Sequence, residues 1–441
     1  MGARCSCSRR KQEPAGPKEM EAVVSAAGGR TVKLLLGTKY KTGSELRMRA
    51  AALFHVPQEQ AALMCGSEKV DDEEVLLETR QQALQGKPPQ LQLLRVRRHM
   101  ALSATQGGGV MLWDVERGEI AKALPNEHLS GIWGVDINWE LHRMVTASDD
   151  NTLLDWDLDR VRTKALRGHS DSVTGVSVEW SKGHVLSSSM DKSIKMWDLK
   201  THSCIKTLEG HSDGIQCLSV DWPSQSALTG SWDKTLKLWD LESDACQKTM
   251  EGHDSFILCL KVDWAARRAL SGARGHNTNR ACRGYERVRK GGSNVSGKNL
   301  KLWDIGDGVC LRTFSGHDKD ILGVDMDWAS KRGLTASSDK IVNMWDLESG
   351  DVLRSFRDHT EFVGCVQADW AAKRMLTGAG NHELRLWHLE SGECLSVWSW
   401  TGGDTKMGRG QVRCVILEPY SSPPPEPRTS TSAPPEPTKD E

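Results

Sequence analysis

The sequence predicts a mainly β fold of seven repeated units, each of four short strands, preceded by a small α+β domain. The first observation is a tryptophan closing an "LKLW"-like run at Trp113, Trp156, Trp197, Trp239, Trp303, Trp345 and Trp387, separated by 43, 41, 42, 64, 42 and 42 residues. The second is a histidine, usually after glycine, at His128, His169, His211, His253, His317 and His359. Each lies 28 residues before its tryptophan except in the fifth unit, where the gap is 50. A period near 40 residues marks a repeat architecture before any single residue is interpreted. The third is upstream, where "MEAVVSAAGGRTVKLLL" (20 to 36) alternates about Gly28-Gly29 as a hairpin, and "GSELRMRAAALF" (43 to 54) has helical composition with Ser44 as N-cap.

Within a unit, segments such as "GIQCLSVDW", "SALTG" and "TLKLWD" alternate apolar and polar residues between turn formers, as half-buried strands do. Cys217, Cys259, Cys365 and Cys414 fall inside these patterns, where a thiol acts as a small hydrophobe, and no zinc-type spacing surrounds them. Of the 441 residues, 58 are Lys or Arg and 59 Asp or Glu, a net charge of -1 that gives no global reason to expect nucleic acid. No apolar run reaches the roughly 20 residues that span a bilayer, and the N-terminus has no secretory apolar core, which predicts a cytoplasmic chain.

On these landmarks, residues 99–418 resemble the WD-repeat β-propellers, with seven blades. The resemblance implies a buried tetrad of His, Ser, Asp and Trp in each complete blade. Here the sets are His128, Ser148, Asp150 and Trp156; His169, Ser189, Asp191 and Trp197; His211, Ser231, Asp233 and Trp239; and His317, Ser337, Asp339 and Trp345. Blade one has Gly107 and no Gly-His, blade five has lost the Asp, and blade seven has Ala379 and Asn381 at the Ser and Asp positions. Four copies at structural spacing exclude a hydrolase triad, which needs one exposed nucleophile in a pocket. A further tryptophan near the end of the first strand, at Trp139, Trp180, Trp222, Trp264, Trp328 and Trp370, reads as edge packing. The C-terminal segment "QVRCVILE" (411 to 418) matches a first strand and is expected to close the ring in blade one, since closure leaves no sheet edge open.

That assignment leaves "QLQLLRV" (90 to 96) for the upstream domain, and residues 20–97 resemble the ubiquitin-like β-grasp fold. No Gly-Gly follows Val96, so the resemblance implies a docking module and not a conjugated one. Its exposed patch aligns with Ala27, Met64 and Leu94.

The leader, residues 1–19, opens "MGARCSCSRRK", where Gly2 and Ser6 fit N-myristoylation and Cys5 and Cys7 are palmitoylation candidates beside basic residues. Two such signals together make membrane attachment stable. Blade five carries 22 extra residues, placed at 274–295 between its second and third strands. Arg274, Arg280, Arg283, Arg287, Arg289 and Lys290 against Glu286 give this segment a local charge of +5. Its "GGSNVSGKN" imitates a phosphate loop, but Asn299 replaces the Ser or Thr and a strand follows where a helix must begin. The Pro- and Ser/Thr-rich tail, residues 419–441, is expected to be disordered.

The expectation for function is a non-enzymatic scaffold or adaptor, without cofactor, metal or small-molecule substrate, tethered to the cytoplasmic face of a membrane. It would bind proteins through variable residues beside the turns: Trp133, Met190, Trp232, Phe256, Glu361 and Phe362. Two alternatives remain open: a ubiquitin-system adaptor that docks through residues 20–97, and an RNA-associated propeller that uses the basic loop.

Overall fold

The structure, a computed structural model, describes residues 99–275, 300–399 and 411–419 with their side chains, and by backbone alone the strands Met20–Ala26, Thr31–Leu36, Ala61–Cys65, Glu68–Lys69 and Gln90–Arg95. The chain divides into two units, Met1–Arg98 and His99–Glu441. In the first, the five strands form one mixed sheet in the order Thr31–Leu36, Met20–Ala26, Gln90–Arg95, Ala61–Cys65, Glu68–Lys69. The pair Met20–Ala26 and Gln90–Arg95 is parallel, and the other pairs are antiparallel. Met64 and Leu94 fall on these strands; Ala27, the lipidation candidates, the 43–54 segment and the insertion beyond Gly275 lie outside the described residues.

The second unit is a seven-bladed β-propeller, seven antiparallel sheets of four strands. Blade four shows the pattern: Ile215–Asp221 innermost, then Ser226–Ser231, Leu236–Asp240 and Ala245–Met250 at the edge. The second strand is almost wholly buried and the outermost mostly exposed. The middle strands lie between the faces of two neighbouring blades, so their apolar residues are covered on both sides. Blade one is closed from the far end of the unit, with Val412–Leu417 pairing antiparallel to Met100–Thr105. The Met100 N–H donates to the Glu418 carboxylate at 3.1 Å, and the His99 ring bonds the Glu418 carbonyl.

Neighbouring blades are joined at three levels. On the innermost strands, Asp136 accepts from Val178 N–H at 2.8 Å and the Trp180 indole at 3.2 Å. Ser177 and Ser219 accept from Trp222 and Trp264, both at 3.2 Å. Lys261 pairs with buried Asp325 at 2.9 Å, and Asp325 also accepts from Ala368 N–H at 2.7 Å. Gln367 closes the series on Leu417 N–H at 2.7 Å. Three of the tryptophans read as edge packing therefore also donate hydrogen bonds between blades. Beside the histidine loops, Asn151, Lys192 and Lys340 donate to the carbonyls of Ser170, Ser212 and Thr360 in the next blade. On the outermost strands, Lys122, Lys206, Lys248, Arg312 and Arg354 donate to backbone carbonyls in the turns of the following blade.

Removing residues 411–441 takes away the strand that buries Val412, Val415 and Leu417 and opens the Met100–Thr105 edge. Three aliphatic side chains at roughly 1.5 to 3 kcal/mol each amount to about 5 kcal/mol or more. Thermal unfolding followed by circular dichroism is expected to lose its single cooperative transition in that variant.

Candidate protein-interaction face

Each blade is pinned by one buried hydroxyl. In blade four the Trp239 indole N–H donates to Thr229 Oγ1 at 2.8 Å, His211 Nε2 meets the same hydroxyl at 2.8 Å, and His211 Nδ1 meets Asp233 at 2.7 Å. With the proton on Nδ1, every donor in the chain Trp–Thr–His–Asp has an acceptor. The same hydroxyl is Thr146 in blade two, Ser187 in three and Thr335 in six.

Ser148, Ser189, Ser231 and Ser337, expected from the sequence to hold this place, do not. The bridging hydroxyl lies two residues earlier, on the same face of the second strand because side chains alternate with period two. The four serines instead accept from the backbone N–H of Asp150, Asp191, Asp233 and Asp339, bracing the turn that aims each carboxylate. The bridge extends to the blades that lack a full set: Ser103 accepts from Trp113, Ser271 from Trp303 and Thr377 from Trp387. Thr146, Ser187, Thr229, Ser271, Thr335 and Thr377 are all 0% exposed, so none is placed to act as a nucleophile. The Asp after the tryptophan, to which the sequence reading assigned no role, caps the next turn by accepting backbone N–H groups, as Asp240 does from Glu242 at 2.9 Å. His388 takes that place in blade seven, its Nδ1 accepting from Ser391 N–H at 3.1 Å.

The electrostatics separate the blades. Burial pushes Asp150, Asp191, Asp233 and Asp339 up, but the hydrogen bonds they accept, first that of the paired histidine and then those of neighbouring hydroxyl and backbone groups, hold all four below the usual carboxylate value of 3.8. His253 meets Ser271 at 2.6 Å, and burial, aided by Lys301, lowers it from 6.5 to about 3. In blade seven the carboxylate has moved two residues along: Glu383 stands 3.6 Å from His359 Nδ1 and is engaged by Arg385, while Asn381 bonds Thr360 and Glu383. Burial and then Arg385 lower His359 to about 4, against the opposing pull of Glu383 and Asp358.

The innermost strands enclose a central channel of about 660 Å³. Of the residues singled out beside the turns, Trp133, Trp232, Phe256 and Phe362 line it, with Arg274, Asp320 and Arg413. Trp232 and Phe256, from adjacent blades, stack at 5.1 Å, and the Arg274 guanidinium stands 5.9 Å from the Phe256 ring. Arg413 lies 4.4 Å from the Trp133 ring, whose N–H donates to Asp149 at 2.5 Å. Three of these four aromatic groups thus form two stations, each with a guanidinium beside it, while Phe362, at the repeat position that Phe256 holds in blade five, packs over Gly380. Met190 instead packs over Gly214 of the next blade, where a Cβ would meet its methyl at 2.6 Å, and Glu361 is exposed outside the channel lining. Sequence reasoning placed the segment of Arg413 in blade one but missed the residue itself, because only residues beside the turns were singled out and Arg413 lies within the strand Val412–Leu417. Cys217 and Cys414 line the same channel, their thiols pushed up by burial to about 12 and about 11.

Residues 160–198, 202–240 and 308–346 match the WD40 family, described as WD domain, G-beta repeat. These three segments are WD40 repeats, and the remaining blades repeat their architecture. A search of curated proteins found no match to the chain.

The pH dependence has a definite sign. A histidine held neutral in the fold binds its proton more readily when unfolded, so its stabilising contribution is lost as pH falls from 6.5 towards 4 in blade seven and 3 in blade five. The depressed aspartates lose theirs only below about 3.8. At a pH of about 5 the histidine penalty is on the order of 2 kcal/mol each. Hydrogen exchange compared between neutral pH and that pH, after correction for intrinsic rates, is expected to show blades five and seven losing protection before blades three, four and six.

Proposed function

We propose that this protein is a non-enzymatic scaffold that assembles partner proteins on the propeller face carrying the histidine loops. The observation that carries this reading is the division of labour among side chains. The repeated His, Ser or Thr, Asp and Trp groups are buried and bonded within the blades that carry them, while Trp133, Trp232, Phe256 and Phe362, with Arg274 and Arg413, form a rim on the channel whose chemistry varies from blade to blade. Aromatic residues and arginine on a rigid surface are the usual anchors of protein interfaces. The WD40 repeats support the same class of role. Acylation at Gly2, Cys5 and Cys7 would hold the scaffold against the cytoplasmic face of a membrane, and the four basic side chains Arg4, Arg9, Arg10 and Lys11 beside them would favour anionic lipid.

A second reading adds an adaptor role for residues 20–97 in the ubiquitin system. It is favoured by the mixed five-stranded sheet whose first and last strands pair in parallel, an arrangement that suits a β-grasp domain. The basic segment 274–295 supports RNA association only through its charge.

Affinity capture with quantitative mass spectrometry tests these assignments on one set of variants. A Trp133→Ala/Trp232→Ala chain is expected to lose its main partners by about tenfold or more, consistent with anchors worth about 1.4 kcal/mol or more in total. A Gly2→Ala chain is expected to keep those partners and leave the membrane fraction. An unchanged partner set in the double variant would remove the channel rim from the account, and partners lost only on deleting residues 20–97 would move the leading role to that domain.

A further inference from the structure

The outermost strand of blade two differs from the other six. From tryptophan to the next histidine there are 13 residues in blade two, Trp156 to His169, against 14 in blades three to six, as in Trp197 to His211. The difference removes a bulge. In blades one and three to seven, the pairing of third and outermost strands shifts register beside the tryptophan, as at Met196/Trp197 and Leu238/Trp239. In blade two it runs unbroken through six pairs, from Thr152↔Arg167 to Asp157↔Arg162. A bulge twists an edge strand and discourages a further strand from joining it; an unbulged edge presents its free N–H and C=O groups in register.

That straight edge is cationic. Arg162, Lys164 and Arg167 are exposed, the strand holds no acidic residue, and none of the three makes an ion pair or hydrogen bond among the described residues. The cations on the other edges are differently placed: Lys122, Lys206, Lys248, Arg312 and Arg354 all reach carbonyls of the next blade. At the junction of blades two and three that role falls to Asp155, which accepts from Arg143 at 2.7 Å and meets His202 at 3.1 Å. Lys164 is thereby left in solvent. A single lysine is enough to stop two copies of an edge from pairing, so three uncompensated charges on six residues exceed what protection requires.

We propose that the Arg162–Arg167 edge is a docking strand for an extended acidic segment of a partner protein, which adds to blade two as a fifth strand. Backbone pairing supplies affinity and the three cations select glutamate- or aspartate-bearing sequences, since like charges directly opposite on adjacent strands are disfavoured and opposite ones favoured. The surface lies on the circumference of the propeller, apart from the channel rim, so both could be engaged by one partner.

The test uses the full chain and a fluorescein-labelled hexapeptide of sequence Glu-Val-Glu-Thr-Glu-Val, blocked at both ends. Anisotropy is expected to show saturable binding that weakens between about 50 mM and about 300 mM salt and falls by about tenfold or more in Arg162→Glu/Lys164→Glu. Hydrogen exchange is expected to place new protection on the Arg162–Arg167 amides, and the matching lysine peptide is expected not to bind. All substituted side chains are exposed, so an unchanged melting temperature verifies the fold. The proposal is overturned if no saturable binding occurs, or if binding persists in the double variant with no protection of this strand. It is also overturned if Arg162→Thr/Lys164→Thr self-associates while the parent binds no acidic peptide, since the charges would then serve only to keep copies apart.

Discussion

One buried hydroxyl per blade holds this propeller in shape. It accepts the indole N–H of the third-strand tryptophan at 2.8 to 2.9 Å in all seven blades. In six blades it also meets the histidine that carries the loop between blades. A tryptophan buried without an acceptor, or a histidine without a partner, would each cost about 1 to 3 kcal/mol, so the hydroxyl satisfies two liabilities at once. Where the histidine then reaches an aspartate, as in blades two, three, four and six, the turn between second and third strands is tied to the loop entering the blade. That tie sets the position of everything on the channel rim above it.

The ring itself depends on contacts that change chemistry from junction to junction while keeping their place. At one position of the innermost strand the linking side chain is Asp136, Ser177, Ser219, Lys261, Asp325 or Gln367. At the seventh junction Cys414 and Ile416 pack with Val135 and Ile137. At this position polar groups join six of the interfaces and apolar ones the last, where Lys122 adds a bond to the Leu158 carbonyl on the outermost strand. The junction of blades seven and one also gains the stack of Trp398 on Trp113 at 5.8 Å, where the outer strand carries Ser396 in place of the lysine or arginine found elsewhere. A frame fastened at every junction can present side chains in fixed positions, and fixed aromatic and guanidinium groups are what a binding rim requires.

Much of this frame was legible because its landmarks are large, rare residues at constant spacing. The tryptophans and histidines located every blade, and the strand pattern of 411–418 identified the segment that completes blade one. The bridging hydroxyl was misplaced by two residues because Thr229 and Ser231 share a strand face and both residue types can supply the oxygen; only the hydrogen bonds distinguish them. The interblade role of Trp180, Trp222 and Trp264 was not legible, since their acceptors lie 44 or 45 residues away and vary between Asp and Ser. Met190 looked like a binding residue for the same reason that Trp232 did, being large beside a turn, and only the glycine facing it in the next blade shows that it fills an interface.

The hydroxyl and the indole act as one unit. A double-mutant cycle of Thr229→Val and Trp239→Phe, read by urea unfolding, measures that coupling. If the Thr229 oxygen is the acceptor for the Trp239 indole, removing both costs less than the sum of the single changes, with a coupling of about 1 kcal/mol or more. Additive losses within about 0.3 kcal/mol would contradict the account, because they would mean that neither group depends on the other.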